Sequence, residues 1–232
     1  GGMGAVYEAV HEAIERRVAI KVLHPEFARN AEFTGRFFNE ARAVNRVEHP
    51  GLVQISDTSD IEKIQHASKI ILPGVGAFDK AMSNLKNLNL IEVIRQKAQE
   101  KTPLLGICLG MQLLSNGSEE GVLPGLGLIP GKVKKFVLPS GYKVPHMGWN
   151  TLDYKVESPL FQGFERFEEA RFYFVHSYHF VCDDDRQVIG STDYGAAFTA
   201  AVQSGGIYGV QFHPEKSHKF GMLLLQNFSE LV

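Results

Sequence analysis

Cys108 stands between two glycines in Gly106-Ile107-Cys108-Leu109-Gly110, behind a short apolar run that opens at Pro103. The run is too brief for a helix, and the glycine-x-nucleophile-x-glycine spacing predicts a sharp strand-to-helix turn with Cys108 at its apex. Glycines two residues to either side let crowded backbone pass close, and the helix that follows presents free N–H groups. Those groups favour a thiolate at Cys108 and bring the amide of Leu109 where it can hold an oxyanion. Taken alone, a cysteine in an apolar run reads first as a small buried hydrophobe. A second stretch reverses that reading. In Ile207-Tyr-Gly-Val-Gln-Phe-His213-Pro-Glu215, Val210 and Phe212 alternate with Gln211 and His213 on extended backbone. Residues two apart on such backbone face the same side, so Glu215 can reach round Pro214 to orient His213. A cysteine elbow followed by a base and its orienter fits a Cys-His-Glu triad.

These residues need a scaffold, and the chain has the means to build one. Its 232 residues, 44% of them hydrophobic, suffice for a sizeable core in one large domain or a domain with an appendage. The formal net charge of -2, with both signs mixed along the chain, gives no electrostatic footprint for nucleic acid or an anionic membrane. Lys132, Lys134 and Lys135 form the one dense basic cluster and read as a solvated strand edge. Cys108 and Cys182 are the only cysteines. They lack metal-ligand spacing and are too few for a disulfide scaffold, so neither metal nor cofactor is expected. No apolar stretch is long enough to span a bilayer and no secretion-signal pattern opens the chain, which makes the cytoplasm the expected compartment.

From Ser59 onward, helical and extended stretches alternate, the pattern of a mostly parallel sheet flanked by helices in an α/β fold. Ile61 to His66 reads as a short helix, Lys69 to Leu72 as a buried strand and Asp79 to Glu100 as one helix. Between the last two, Gly74 and Gly76 make a tight turn, or else aim backbone N–H groups at a substrate. Val122 to Leu128 reads as a loop, Gly131 to Val137 as a strand, and Lys143 to Asn150 as an irregular segment with the only tryptophan. Arg171 to Ser177 and Phe180 to Cys182 read as adjoining strands, followed by further strands at Val188 to Ser191 and Phe198 to Val202.

Residues 1–57 read differently. Gly1-Gly-Met-Gly-Ala-Val-Tyr7, Arg17-Val-Ala-Ile-Lys21-Val-Leu23, Phe37-Phe-Asn-Glu40-Ala-Arg42 and His49-Pro-Gly-Leu-Val53 resemble the N-terminal lobe of a bacterial serine/threonine protein kinase. That resemblance implies a glycine loop over phosphates and a Lys21–Glu40 pair. It opens part-way into the glycine loop, and no His-Arg-Asp or Asp-Phe-Gly follows, so phosphoryl transfer is not expected and the two charges read as structural or surface groups. Val6, Val10, Ala13 and Ile14 recur at helical spacing, leaving helix and strand both open there. Val18 to Leu23 reads as a strand, Ala31 to Val47 as an amphipathic helix and Leu52 to Ile55 as a strand.

Residues 58–232 form the second region. Leu72-Pro-Gly-Val-Gly-Ala-Phe78, Gly106-Ile-Cys-Leu-Gly-Met-Gln112, Pro145-His-Met-Gly-Trp-Asn150, Val175-His-Ser-Tyr-His179 and His213-Pro-Glu-Lys-Ser217 resemble the class I glutamine amidotransferases. Among these the likeness is to the glutaminase subunits of imidazole glycerol phosphate synthase. The resemblance implies that Cys108 attacks the side-chain amide of glutamine, His213 shuttles protons and Glu215 orients it. It further implies an oxyanion held by amides near Val75, Gly76 and Leu109, with glutamine bound by Gly76, Gln112, Ser177 and Tyr178. The implied partner is a (β/α)8-barrel cyclase of histidine biosynthesis, forming a heterodimer at His146, Met147, Trp149, Asn150 and Lys216. One departure stands out. Such proteins begin with a strand, an Asp-Tyr-Gly-x-Gly-Asn turn, a helix and a second strand, where this chain carries the kinase-like segment. Either Val18 to Leu23, the helix and Leu52 to Ile55 join the sheet in parallel as replacements, or the two regions meet at a graft never packed together. Ammonia supply to another synthase, and a disabled fold acting as a binding protein, are the alternative functions.

Overall fold

The computed structural model describes residues 4–11, 16–23, 52–54 and 61–232 with the exception of 156. By contacts the chain divides into residues 1–46 and 47–232. In the first unit, β1 (Gly4–His11) pairs antiparallel with β2 (Arg16–Leu23), from Gly4 opposite Leu23 to His11 opposite Arg16. The helical spacing at Val6 and Val10 is thus overridden by pairing with a β-branched neighbour strand. Val18 to Leu23 lies in β2 and pairs with β1 in a separate two-stranded sheet rather than entering the large one. Ala13, Ile14, Glu40 and the expected helix Ala31 to Val47 lie outside the described residues.

The second unit is built on a sheet that is mixed, not mostly parallel. Its parallel part contains β3 (Leu52–Gln54), β4 (Lys69–Gly74), β5 (Leu104–Cys108) and β13 (Ile207–Val210), hydrogen-bonded in that order. Beyond β13 every pairing is antiparallel: β12 (Ala197–Ser204), β10 (Tyr178–Cys182) and β6 (Gly131–Lys135), with β11 (Val188–Asp193) and the short β8 (Asp153–Tyr154) attached to β12. The cause lies in the connections. A two-residue turn at Gly205 and Gly206 can join only antiparallel strands, whereas β4 and β5 are separated by helices long enough for a parallel crossover. Leu52–Gln54 pairs in parallel with β4.

Alternation on the strands feeds two cores. Ile70, Leu72, Leu104 and Ile207 point into one, packed under α1 (Ile61–Gln65), α2 (Phe78–Asn87), α3 (Leu90–Gln99) and α4 (Leu109–Leu113). Ile71, Leu105, Tyr208 and Val210 point into the other, under α5 (His218–Glu230) and a phenylalanine cluster of Phe161, Phe164, Phe172, Phe174 and Phe212. The helix expected over Asp79 to Glu100 is broken because Asn89 adopts a left-handed φ of 56°, which asparagine tolerates, and ends α2 before α3 begins. Lys132, Lys134 and Lys135 are exposed on β6, at one end of the strand order.

Two segments differ from expectation in a way that matters for the site. The stretch expected to be irregular contains β7 (His146–Thr151), paired antiparallel with β9 (Arg171–His176) as a separate ribbon. Strands β9 and β10, expected to adjoin, therefore part company at Ser177: β9 turns to β7, and β10 to β6 and β12.

Candidate active site

The turn at Cys108 is held open by its glycines. Cys108 has φ 53° and ψ −109°, a conformation outside the regions open to ordinary residues, with a cost of about 1–3 kcal/mol that the surroundings must impose. They impose it by contact. A Cβ on Gly110 would lie 1.7 Å from the Leu72 carbonyl oxygen, and one on Gly106 would lie 2.7 Å from the Gly110 carbonyl carbon and oxygen. Strand β5 can enter α4 only because neither residue has a side chain. Leu109, Met111 and Leu113 bury α4 against the sheet, and Cys108 itself is 7% exposed.

His213 reaches this cysteine from the end of β13. The strand stops at Val210, although Gln211 still bonds the Ala200 carbonyl, because Pro214 follows and the chain swings to β9. There the His213 amide donates to Tyr173 O at 2.9 Å, while Ser217 Oγ accepts from Tyr173 N and donates to His213 O at 2.6 Å. Nδ1 of His213 lies 2.7 Å from Glu215 Oε1. Its Nε2 is buried and makes no hydrogen bond. Burial alone would push this ring down, but the Cys108 sulfur and the Glu215 carboxylate together outweigh it and hold the ring up at about 9.

Two glutamines complete the floor, and only Gln112 was visible as a candidate in the sequence. Its Nε2 donates to Tyr178 O at 3.0 Å and to Gln211 Oε1 at 3.1 Å, while Gln211 Nε2 points at Cys108 Sγ at 3.8 Å. Gln211 is fully buried. The signal that could have found it is an amide inside the apolar run Val210 to Phe212, since a buried amide requires partners. Gly74 lies opposite Cys108 in the β4–β5 register, so Val75 and Gly76, with φ 97°, follow directly at the rim, and the Val75 side chain is 81% exposed. Glu120, a second missed residue, accepts the Phe78 N–H at 2.8 Å and ties the loop after α4 to this rim. Ser177 O accepts from Phe136 N at 3.1 Å where β9 and β10 diverge, beside Tyr178.

The five residues expected at a partner surface separate into two groups. Met147 and Trp149 alternate outward on β7, at 62% and 46% exposure. The Trp149 ring stacks on His218 at 5.1 Å, and the Lys216 ammonium sits 5.8 Å over the Tyr173 ring. His146 and Asn150 lie on the opposite side of β7. By the same alternation they face inward: His146 is 2% exposed, against Phe174, His176 and Tyr194, and the Asn150 amide donates to Asp193 O at 2.8 Å.

Cys182 has none of the features of Cys108. Burial, with Asp185, Asp183 and Asp184 nearby, pushes its thiol up to about 12. Among the described residues no group of His, Cys, Asp and Glu could hold a metal ion, and no helix is long and apolar enough to cross a membrane.

Comparison with known proteins agrees with this architecture. Residues 39–231 match the family model for glutamine amidotransferase class-I. The imidazole glycerol phosphate synthase subunit HisH 2 of Methanococcus maripaludis is 55% identical over 172 residues, which make up 74% of this chain and 84% of that protein. The HisH subunit of the same synthase from Bdellovibrio bacteriovorus is 51% identical over 183 residues, covering 77% and 88%. The fold resembles that of PurLQS from Thermotoga maritima, 23% identical, with a TM-score of 0.55 over 70% of this chain and 79% of that one. The chain belongs to the glutamine amidotransferase class-I family, and within it to the group of the imidazole glycerol phosphate synthase HisH subunits.

Proposed function

We propose that this chain hydrolyses glutamine to glutamate and ammonia at Cys108 and passes the ammonia to a cyclase subunit that forms imidazole glycerol phosphate in histidine biosynthesis. The observation that carries the reading is His213, bonded through Nδ1 to Glu215 with its buried Nε2 left free beside the cysteine. Cys108 Sγ, its proton held on His213 Nε2, attacks the side-chain carbonyl carbon of glutamine. The amides of Leu109 and of the Val75–Gly76 rim stabilise the oxyanion, and Gln112, Ser177 and Tyr178 with Gly76 hold the substrate. As the tetrahedral intermediate collapses, His213 gives its Nε2 proton to the departing nitrogen, releasing ammonia and leaving a glutamyl thioester. Water then attacks the thioester while His213 takes its proton, and cleavage of the carbon–sulfur bond returns glutamate and the free cysteine.

The pH dependence follows from His213. Below pH about 9 the ring carries the proton that the leaving nitrogen needs; glutamate release therefore falls as pH rises through about 9. Glu215→Gln removes one of the groups that hold the ring up, and the alkaline limb of the rate profile moves to lower pH. An unchanged limb in that variant would separate His213 from the proton transfer.

Met147 and Trp149 support a docking surface on the outer face of β7, with Lys216 alongside. Glutamate release by the purified chain, with and without the cyclase subunit and its ligand, tests the whole reading. Partner-stimulated release is expected, and Trp149→Ala should weaken stimulation roughly tenfold while leaving release by the chain alone unchanged. Stimulation of the same size in the variant would remove this surface from docking, and no release under any condition would overturn the glutaminase assignment.

A further inference from the structure

Behind β7 a row of polar groups runs to Tyr178 O, and three of its members, Asn150, His146 and His176, have no role in the reaction described above. Asn150 Nδ2 is 3.4 Å from His146 Nε2, His146 Nδ1 is 3.2 Å from His176 Nε2, and His176 Nδ1 is 2.8 Å from Tyr178 O. The carbonyl at the end can only accept, which dictates every proton in the row. His176 must carry its hydrogen on Nδ1, its Nε2 is then a lone pair, and His146 must donate to it from Nδ1, leaving His146 Nε2 to accept from Asn150. Burial favours this uncharged arrangement, holding His146 down at about 4 and His176 down at about 3. Tyr178 O is also the acceptor of Gln112, whose second N–H fixes Gln211 Oε1 and so turns Gln211 Nε2 toward the Cys108 sulfur.

We propose that His176 is a positioning residue, held in its Nδ1–H form by His146, that fixes Tyr178 O, through it the Gln112 amide, and so the direction in which the Gln211 amide faces Cys108. The inference deepens the glutaminase reading and rests on it only for its kinetic readout.

Nitrogen NMR of the full chain with labelled histidine, at neutral pH, should show both rings in the Nδ1–H form. Either ring in the Nε2–H form overturns the proposal. Two variants then divide His176 by nitrogen, because an asparagine amide sits where Nδ1 was and a glutamine amide reaches where Nε2 was. Loss of one buried hydrogen bond predicts that His176→Gln slows both glutamate release and iodoacetamide alkylation of Cys108 by roughly tenfold, with His176→Asn within about twofold of the unsubstituted chain. Peptide mapping keeps Cys108 apart from Cys182. Equal losses in the two variants, in step with their melting temperatures, would reduce the pair to packing and overturn the positioning role. Absence of glutamate release from the unsubstituted chain would count against the glutaminase reading, whereas the tautomers and the alkylation rates still decide this one.

Discussion

Cys108→Ala should lower glutamate release by about a thousandfold or more, with and without the partner, while the chain keeps its fold. The cost is large because every later step requires the thioester, and no other side chain at the site can form one. Gln211 and His213 lie beside the sulfur, with Gln112 bonded to Gln211, and none replaces it. Cys182 offers no alternative, since its thiol is pushed up to about 12. The fold survives because Cys108→Ala removes only the sulfur and keeps the Cβ that the turn already accommodates. Release by the purified variant, together with its thermal unfolding, checks both halves. Activity within tenfold of the unsubstituted chain would remove Cys108 from the reaction.

Gly110→Ala carries the second large effect, and it falls on structure first. The new methyl would sit 1.7 Å from the Leu72 carbonyl oxygen, backbone that belongs to β4 and cannot swing aside as a flexible side chain would. Either α4 lifts off the sheet or β4 moves, and each opens the core that Leu72 and Leu109 share. The expected cost is about 3 kcal/mol or more. At about 2–4 °C per kcal/mol for a chain of this size, that lowers the melting temperature by about 6–12 °C. Glutamate release should disappear with it, because the turn that exposes Cys108 is lost. Gly206→Ala is the control. A Cβ there meets its nearest neighbour, Lys101 O, at an ordinary 3.6 Å, so stability should stay within about 1 kcal/mol. Equal melting temperatures for the two variants would contradict the account of the turn.

The elbow and the His213–Glu215 pair were legible in the sequence because local spacing determines them. Gly106 and Gly110 are needed wherever a strand runs straight into a helix under another strand's carbonyl, and Glu215 is two residues from the histidine it bonds. Gln211 was not legible as part of the site. Its contacts to Gln112 and Cys108 join residues 99 and 103 positions away, and no local pattern reports them. The inward turn of His146 and Asn150 was missed for a related reason. Read as an irregular segment, residues 143 to 150 have no faces, whereas pairing with β9 gives them two, and alternation then sends Met147 and Trp149 outward and His146 and Asn150 inward. The mixed sheet depended on the same kind of information, since strand type does not disclose pairing direction until the connections are known. At the N-terminal end, helical periodicity over Val6 and Val10 competed with a hairpin, and pairing with β2 prevailed.

The most direct test of the account is to trap the covalent intermediate. The chain, saturated with glutamine in the presence of the proposed cyclase subunit, is quenched in acid during turnover, digested and examined by mass spectrometry. The account predicts a glutamyl thioester on the peptide containing Cys108 and none on the peptide containing Cys182. It also predicts that little adduct forms when His213 is replaced by alanine, because the departing nitrogen then lacks the proton that the ring supplies. Steady glutamate production with no adduct on Cys108, or an adduct on Cys182, would contradict the claim that this cysteine is the nucleophile.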